Sequence, residues 1–324
     1  VTVAEILKEA GYATLMSGKW HLGYNDQDRW PLQRGYEKYY GCISGATRFF
    51  LPEHPRGMTF GNENLENPES TTDEAFYTTD AFTDYGMRFI AEHRTLQNET
   101  RNDPFFLYLA YTAPHWPLQA FEDDIAKYRG KYRMGWDQLR EQRLQRQIEL
   151  DLIDPKWPLP PRTEGIPGWD SLSEEKQDEM DLKMAVYAAM IDRVDQNIGR
   201  LLAKLKEIGR LDNTLILFAS DNGASSEVVR IGDGKIGEID RWASQKGPWA
   251  NVSNTPLRKY KNYSYEGGIK TPLIAWWPDR IAAGAINRFP GHFIDVMPTL
   301  VELSGAVYPQ QSGDMDVVPM QGVS

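Results

Sequence analysis

Hydrophobic spacing changes character several times along the chain, and each change marks an expected element. Val3, Ile6, Leu7 and Ala10 recur at helical spacing. Thr2 and Glu5 stand at capping-box distance ahead of them, and Gly11 suits a helix stop. Ala13 to Gly18 reads as a short strand running into Lys19-Trp20-His21, and residues 24–75, rich in Gly, Pro and aromatics, read as irregular. A helix is expected over about 79–93. Phe105 to Tyr111 is a continuous apolar run, the pattern of a parallel strand buried on both faces, and leads into Thr112-Ala113-Pro114-His115. Residues 116–172 are polar and rich in Pro and Trp, and read as an excursion from the core. Glu174 to Ile208 predicts a long helix, with apolar positions at Met184, Tyr187, Ala188, Ile191, Val194, Ile198, Leu201, Leu202 and Leu205. Leu215 to Ala219 predicts a second buried strand, ending in Ser220-Asp221-Asn222-Gly223, and Leu273 to Trp277 a third. Asp295 begins a helix through about Leu303 that stops at Gly305.

Strands alternating with helices predict an α/β fold with a mostly parallel central sheet flanked by helices. Such sheets bind ligands beyond the carboxyl ends of their strands. Lys19 and His21, His115, and Asp221 with Asn222 each follow a predicted strand immediately, which groups them as candidates for one site.

Composition narrows the classes. A chain of 324 residues with 41% hydrophobic content can bury a large core. The net charge of −10 argues against a nucleic-acid partner, and no apolar stretch is long enough for a membrane span. Cys42 is the single cysteine, so no intrachain disulfide forms. The chain opens at Val1, without Met and already inside a helix, so an N-terminally truncated protein is expected and compartment is not legible.

Each candidate has a functional and a plain reading. Asp221-Asn222 supplies hard oxygen donors of the kind Ca²⁺ or Mg²⁺ takes; Asp-Asn-Gly is also a common turn. Lys19 and His21 pair a fixed cation with a titratable ring, or are a surface lysine and a packed histidine. His115, flanked by Pro114 and Pro117, is a stiffened general-acid candidate or a structural histidine in a turn. Arg258, Lys259 and Lys261 precede Glu266-Gly267-Gly268, and form a solvated basic face or an anion contact. His54 sits in a Pro-rich loop that would suit a site entrance, whereas His93, His292 and Cys42 read as structural.

Together these segments resemble the type I sulfatases, of the alkaline phosphatase superfamily. Gly11-Tyr12-Ala13-Thr14 through Gly18-Lys19-Trp20-His21-Leu22-Gly23 is similar to a long signature of that family. Ala113-Pro114-His115-Trp116-Pro117, Ser220-Asp221-Asn222-Gly223 and Leu257-Arg258 through Glu266-Gly267-Gly268 resemble its later motifs, in the same order. Ala189-Met190-Ile191-Asp192-Arg193-Val194-Asp195 resembles its interior helix, and Gly247-Pro248-Trp249 through Thr255-Pro256 the bacterial arylsulfatase branch. The resemblance runs from Val1 to about Tyr308.

It implies an alkaline phosphatase-like sulfatase fold and hydrolysis of aryl or carbohydrate sulfate monoesters. Asp221 and Asn222 would bind a divalent cation, usually Ca²⁺. Lys19 and Lys261 would bind sulfate oxygens, His21 would serve the nucleophile during sulfate release, and His115 would protonate the leaving oxygen. Ser44 falls near a substrate-contacting position, and Glu266 would orient Lys261. The family's nucleophile is a formylglycine made by a maturation enzyme from a C/S-x-P-x-R motif, and no such motif occurs in this chain. The family's first strand, with its aspartate ligands, is also missing, as is most of its smaller C-terminal subdomain. A catalytic-domain fragment over residues 1–324, inactive alone and poor in metal binding, is therefore expected, with exposed strand edges. The whole protein would be periplasmic or secreted. A phosphate or phosphonate ester hydrolase, and a non-catalytic anion-binding protein, are the rival readings.

Overall fold

The N-terminal helix α1 (Val3–Glu9) forms as its spacing requires. The Thr2 backbone N–H donates to Glu5 Oε2 at 2.7 Å, and the Glu5 N–H donates to Thr2 Oγ1 at 3.1 Å, the reciprocal bonds of a capping box. The computed structural model describes residues 1–70, 75–96 and 103–324, in two compact units. Val1–Thr112 with Asn287–Ser324 make the first unit, and Ala113–Ile286 the second.

The first unit is built on a mixed sheet. Strands β1 (Ala13–Lys19), β2 (Lys38–Cys42), β3 (Met58–Phe60), β4 (Glu63–Leu65) and β5 (Phe105–Ala110) lie in the order β4-β3-β2-β1-β5. β1 runs parallel to both β2 and β5, while β3 and β4 continue the sheet antiparallel. The expected parallel core is therefore present but extends into an antiparallel ribbon. Helix α2 (Thr78–Thr95) packs on β1, β2 and β5. Ala4 of α1, Met16 of β1 and Tyr39 of β2 share one core with Trp20, Trp30, Tyr36 and Ile43. Burying such aromatic and aliphatic surface removes it from water and fixes how strands and helix meet.

β2 corrects the sequence expectation, which left residues 24–75 irregular. Its burial is continuous from Tyr39 to Cys42, so no alternation of polar and apolar positions announces it. Positions 71–74 of that stretch lie outside the described residues. Helix α8 (Val296–Ser304), placed by the sequence at Asp295, touches α1 and ends at Gly305 in the left-handed conformation.

The second unit contains α3 (Glu122–Ala126), α4 (Gly135–Glu149) and the long α5 (Glu174–Glu207). Ser173 caps α5 by accepting from the Lys176 N–H, Glu174 and Glu175 occupy its first turn, and Lys204 and Lys206 its last, matching the helix dipole. The 116–172 excursion is tied down from inside. Trp136 and Trp169 pack edge-on, 4.8 Å between ring centroids, and both meet Trp249 of α6 (Lys246–Ser253). Asp181 of α5, fully buried, accepts from the Gly130 and Tyr132 N–H groups at 3.0 Å each and pairs with Arg129. Every bond a buried carboxylate needs is thus supplied by the excursion.

Strands β6 (Ile216–Ala219) and β9 (Leu273–Trp276) form their own antiparallel pair, and β7 (Arg230–Ile231) pairs with β8 (Trp242–Ala243). The sequence reading of β6 and β9 as buried strands needs correction. Phe218 is 46% exposed and Ile274 60% exposed. Both runs are apolar, but the described residues cover neither fully. The one-turn helix α7 (Glu266–Ile269) precedes β9.

Candidate functional site

In the first unit, three candidates gather at the carboxyl ends of adjacent parallel strands. Lys19, the last residue of β1, lies opposite Cys42, the last of β2. The ladder runs on past both strands, the Trp20 N–H donating to Cys42 O at 2.9 Å and the His21 N–H to Ile43 O at 3.0 Å. His21 adopts a left-handed backbone conformation at φ 59°, so the segment turns at that residue. Its ring lies over Gly45; a Cβ there would stand 2.4 Å from His21 Nε2. Ser44 Oγ donates to Ala46 O at 3.1 Å and lies 3.1 Å from Cys42 Sγ. Cys42 is buried, and burial pushes its thiol above the ordinary range, as befits a packed side chain.

The other histidines of the first unit stand apart from this group. The Tyr24 hydroxyl and His54 Nε2 are 3.4 Å apart at the surface. His93 meets Asp103 O at 3.1 Å, and His292 accepts the Ile294 N–H at 3.1 Å, both structural roles.

In the second unit, the turn after β6 is zipped to the segment between α6 and β9. The Gly223 N–H donates to Gly268 O at 3.0 Å, and the Lys261 N–H donates to Ala224 O at 3.1 Å. Asn254 clamps both sides, accepting from the Ala224 N–H and donating to Lys259 O, each at 3.0 Å. The backbones approach so closely that a Cβ on Gly223 would sit 1.7 Å from Gly267 O. The zipper carries Asp221 and Asn222 on one strand of chain and Lys261 on the other.

His115 meets Lys261 directly, with Lys261 Nζ 3.4 Å from His115 Nε2. His115 Nδ1 lies 2.8 Å from Trp116 O. A carbonyl oxygen only accepts, so Nδ1 carries hydrogen and Nε2 is the atom turned to Lys261. Glu266, expected beside Lys261, instead pairs with Lys270 at 3.8 Å. The carboxylate that senses Lys261 and His115 is Glu227, which nothing in its polar loop singles out. Trp116 Nε1 and Ser225 Oγ each donate to Glu227 Oε2 at 2.8 Å. The Trp116 bond above all, with the Ser225 bond and the charges of Lys261 and His115, holds Glu227 below the usual carboxylate range against the opposing effect of burial.

Asp221 is exposed, and Asn222 Nδ2 donates to Gly223 O at 3.0 Å, leaving Oδ1 as the ligand atom of that side chain. These are hard oxygen donors, suited to an alkaline-earth cation. Among the described residues, no group of three or more His, Cys, Asp or Glu is arranged to hold a metal. The pair fits part of a Ca²⁺ donor set and falls short of the roughly six to eight oxygens such an ion takes.

The model of the family described as Sulfatase matches residues 1–306. The chain belongs to the sulfatase family. An uncharacterized sulfatase of Schizosaccharomyces pombe is 36% identical over 94% of this chain and 58% of its own length. An arylsulfatase of Klebsiella aerogenes is 35% identical over all of this chain and 72% of its own length. The chain thus spans between about half and three-quarters of these curated relatives. Among solved structures, Ps i-CgsB matches with a TM-score of 0.64 at 24% identity, over 99% of this chain and 55% of that one. The same protein with k-i-k-neocarrahexaose matches at 0.61 and 25% identity, over 95% and 54%. A structure holding its substrate D-glucosamine-2-N,6-O-disulfate matches at 0.57 and 22% identity, over 100% and 63%. These likenesses agree with the α/β architecture, a mixed sheet flanked by helices. Sulfatases generally use a divalent metal. No helix among the described residues is long and apolar enough to cross a membrane.

Proposed function

We propose that the whole protein hydrolyses sulfate monoesters, and that residues 1–324 are part of its catalytic domain. The reading is carried by one observation in a sulfatase-family chain: the Lys261 ammonium and His115 ring are 3.4 Å apart, on a loop bonded to the turn bearing Asp221 and Asn222. Cleaving the S–O bond of a sulfate ester pushes negative charge onto the leaving oxygen. Lys19 and Lys261 bind sulfuryl oxygens, and His115 protonates the leaving oxygen. His21 acts as base toward the nucleophile when sulfate is released, and Ser44 contacts substrate. Asp221 and Asn222 would be two ligands of a Ca²⁺ ion, which when bound would neutralise charge on the sulfuryl group.

The nucleophile of this reading is a formylglycine outside this chain, produced by a formylglycine-generating or equivalent maturation enzyme. Residues 1–324 alone are then inactive. The sugar ligands of the structural relatives and the arylsulfatase relative support a carbohydrate or aryl sulfate as substrate. The reading also puts the protein in the periplasm or outside the cell, which fractionation of the source cells tests.

Matched sulfate and phosphate aryl esters offered to the whole protein test the assignment. Faster turnover of the sulfate is expected. A strong preference for phosphate would replace the reading with a phosphate or phosphonate ester hydrolase, and no turnover of either after maturation would leave an anion-binding protein. In the same assay His115→Ala lowers kcat by about 10²-fold or more on esters with poor leaving groups, and much less on activated ones. Equal losses on both would remove His115 from the acid role.

A further inference from the structure

His115 and Lys261 present an electrostatic problem that the functional reading leaves open. With Nδ1–H committed to Trp116 O, His115 takes up an acidic proton at Nε2, the atom 3.4 Å from the Lys261 ammonium. An imidazolium and an ammonium at that distance repel, which disfavours the protonated acid unless a negative charge lies beside them. We propose that Glu227 is that counter-charge, a positioning residue that sustains protonated His115 next to Lys261 and holds the Trp116 side of the loop in place.

Four sets of contacts carry the proposal. Glu227 Oε2 accepts from Trp116 Nε1, so the residue whose carbonyl receives His115 Nδ1–H is anchored by the same carboxylate. Ser225 Oγ donates to that oxygen too, and both donors favour the ionised form. The Glu227 backbone is itself held: its carbonyl accepts from Ser244 Oγ at 2.6 Å, and its N–H donates to Ser225 Oγ at 3.3 Å. The loop also reaches Lys261, through Ala224 O. His115 therefore meets Lys261 from the 257–263 segment directly, and is joined to Glu227 of the loop after β6 through Trp116. The lowered pKa of Glu227, to which both cations contribute, agrees with this placement.

The proposal deepens the sulfatase reading and rests on it only for the catalytic consequence, so the first test needs no turnover. Histidine-labelled chain is titrated by NMR, with the His115 ring identified by its loss in His115→Ala. Glu227→Gln keeps a carbonyl oxygen for Trp116 and Ser225 but removes the charge. The His115 midpoint is expected to fall by about half a pH unit or more, with hydrogen still on Nδ1 in the neutral ring. Glu227→Asp, which restores a carboxylate, recovers part of the shift. Ser225→Ala, which keeps the charge, moves the midpoint far less. An unmoved midpoint in Glu227→Gln, or an equal shift in Ser225→Ala, overturns the proposal.

In the matured whole enzyme Glu227→Gln is expected to lower kcat about tenfold on poor leaving groups, with KM within about twofold. A uniform loss on all esters would make Glu227 merely structural and overturn the proposal. A midpoint shift in a protein without sulfatase turnover would sustain the counter-charge and sink the functional reading instead.

Discussion

Single side chains differ in how much of their role can be traced to local sequence. Thr2 and Glu5 are three positions apart and form the capping box that spacing alone predicts. His115 and Lys261 were each placed among the candidates from their own segments, but their contact is a tertiary event across 146 positions. Glu227 escaped the sequence reading because a glutamate in a polar loop is ordinary. Only folding sets it against Trp116, 111 positions away. Gly45 is a quieter case. Its missing Cβ leaves room for the His21 ring, and the neighbour that would have to yield is the end of a rotatable side chain. Gly45→Ala is therefore expected to displace His21 without unfolding the protein. In the whole enzyme kcat should drop about tenfold, while thermal unfolding stays within about 2 °C of wild type. A crystal structure or His21 ring shifts in the variant would show the displacement, and unchanged turnover would remove His21 from the reaction.

Among elements, the strongly periodic helices were the most legible. α5 spans the range its pattern predicts, because a long amphipathic pattern repeats the same instruction over many turns. Its buried face departs from the apolar stripe: Met184, Val194 and Leu205 are buried, Ile191 is 45% exposed, and the polar Asp181, Lys183 and Asn197 are buried in its stead. β2 was not legible, because a strand covered on both faces and embedded among glycines and aromatics shows no period. β6 and β9 show the opposite error: apolar runs read as buried, but apolarity states what a residue prefers and not what covers it. The segment 116–172 reads as an excursion from the core in sequence; it contains α3 and α4 and is anchored by aromatic packing. Trp249 of α6 is fully buried, donates from Nε1 to Met180 O at 2.8 Å and packs against Trp136 and Trp169. Trp249→Ala removes that anchor and leaves a cavity. A loss of about 3 to 5 kcal/mol in urea unfolding is expected, with new proteolytic cleavage between residues 116 and 172. A loss below about 1 kcal/mol would mean that the excursion is held some other way.

For the molecule as a whole, the donor inventory sets the expectation for metal. Asp221 and Asn222 provide hard oxygens, and no larger group of potential ligands gathers among the described residues. Calorimetric titration of this chain with Ca²⁺ should therefore give a Kd weaker than about 1 mM, and Asp221→Ala should abolish what heat there is. Micromolar binding would mean that further oxygen ligands, backbone carbonyls among them, complete the site within residues 1–324. Family, the elements α1, β1, α2, β5, α5, β6, β9 and α8, and the candidate residues that follow β1, β5 and β6 could be read without coordinates, because motif spacing and hydrophobic period are properties of the chain itself. The mixed sheet with β2 inside it, the exposure of β6 and β9, the His115–Lys261 contact and the bond from Trp116 to Glu227 were settled by folding alone. Each depends on which distant segments meet, and contact between remote side chains leaves no local trace in the order of residues.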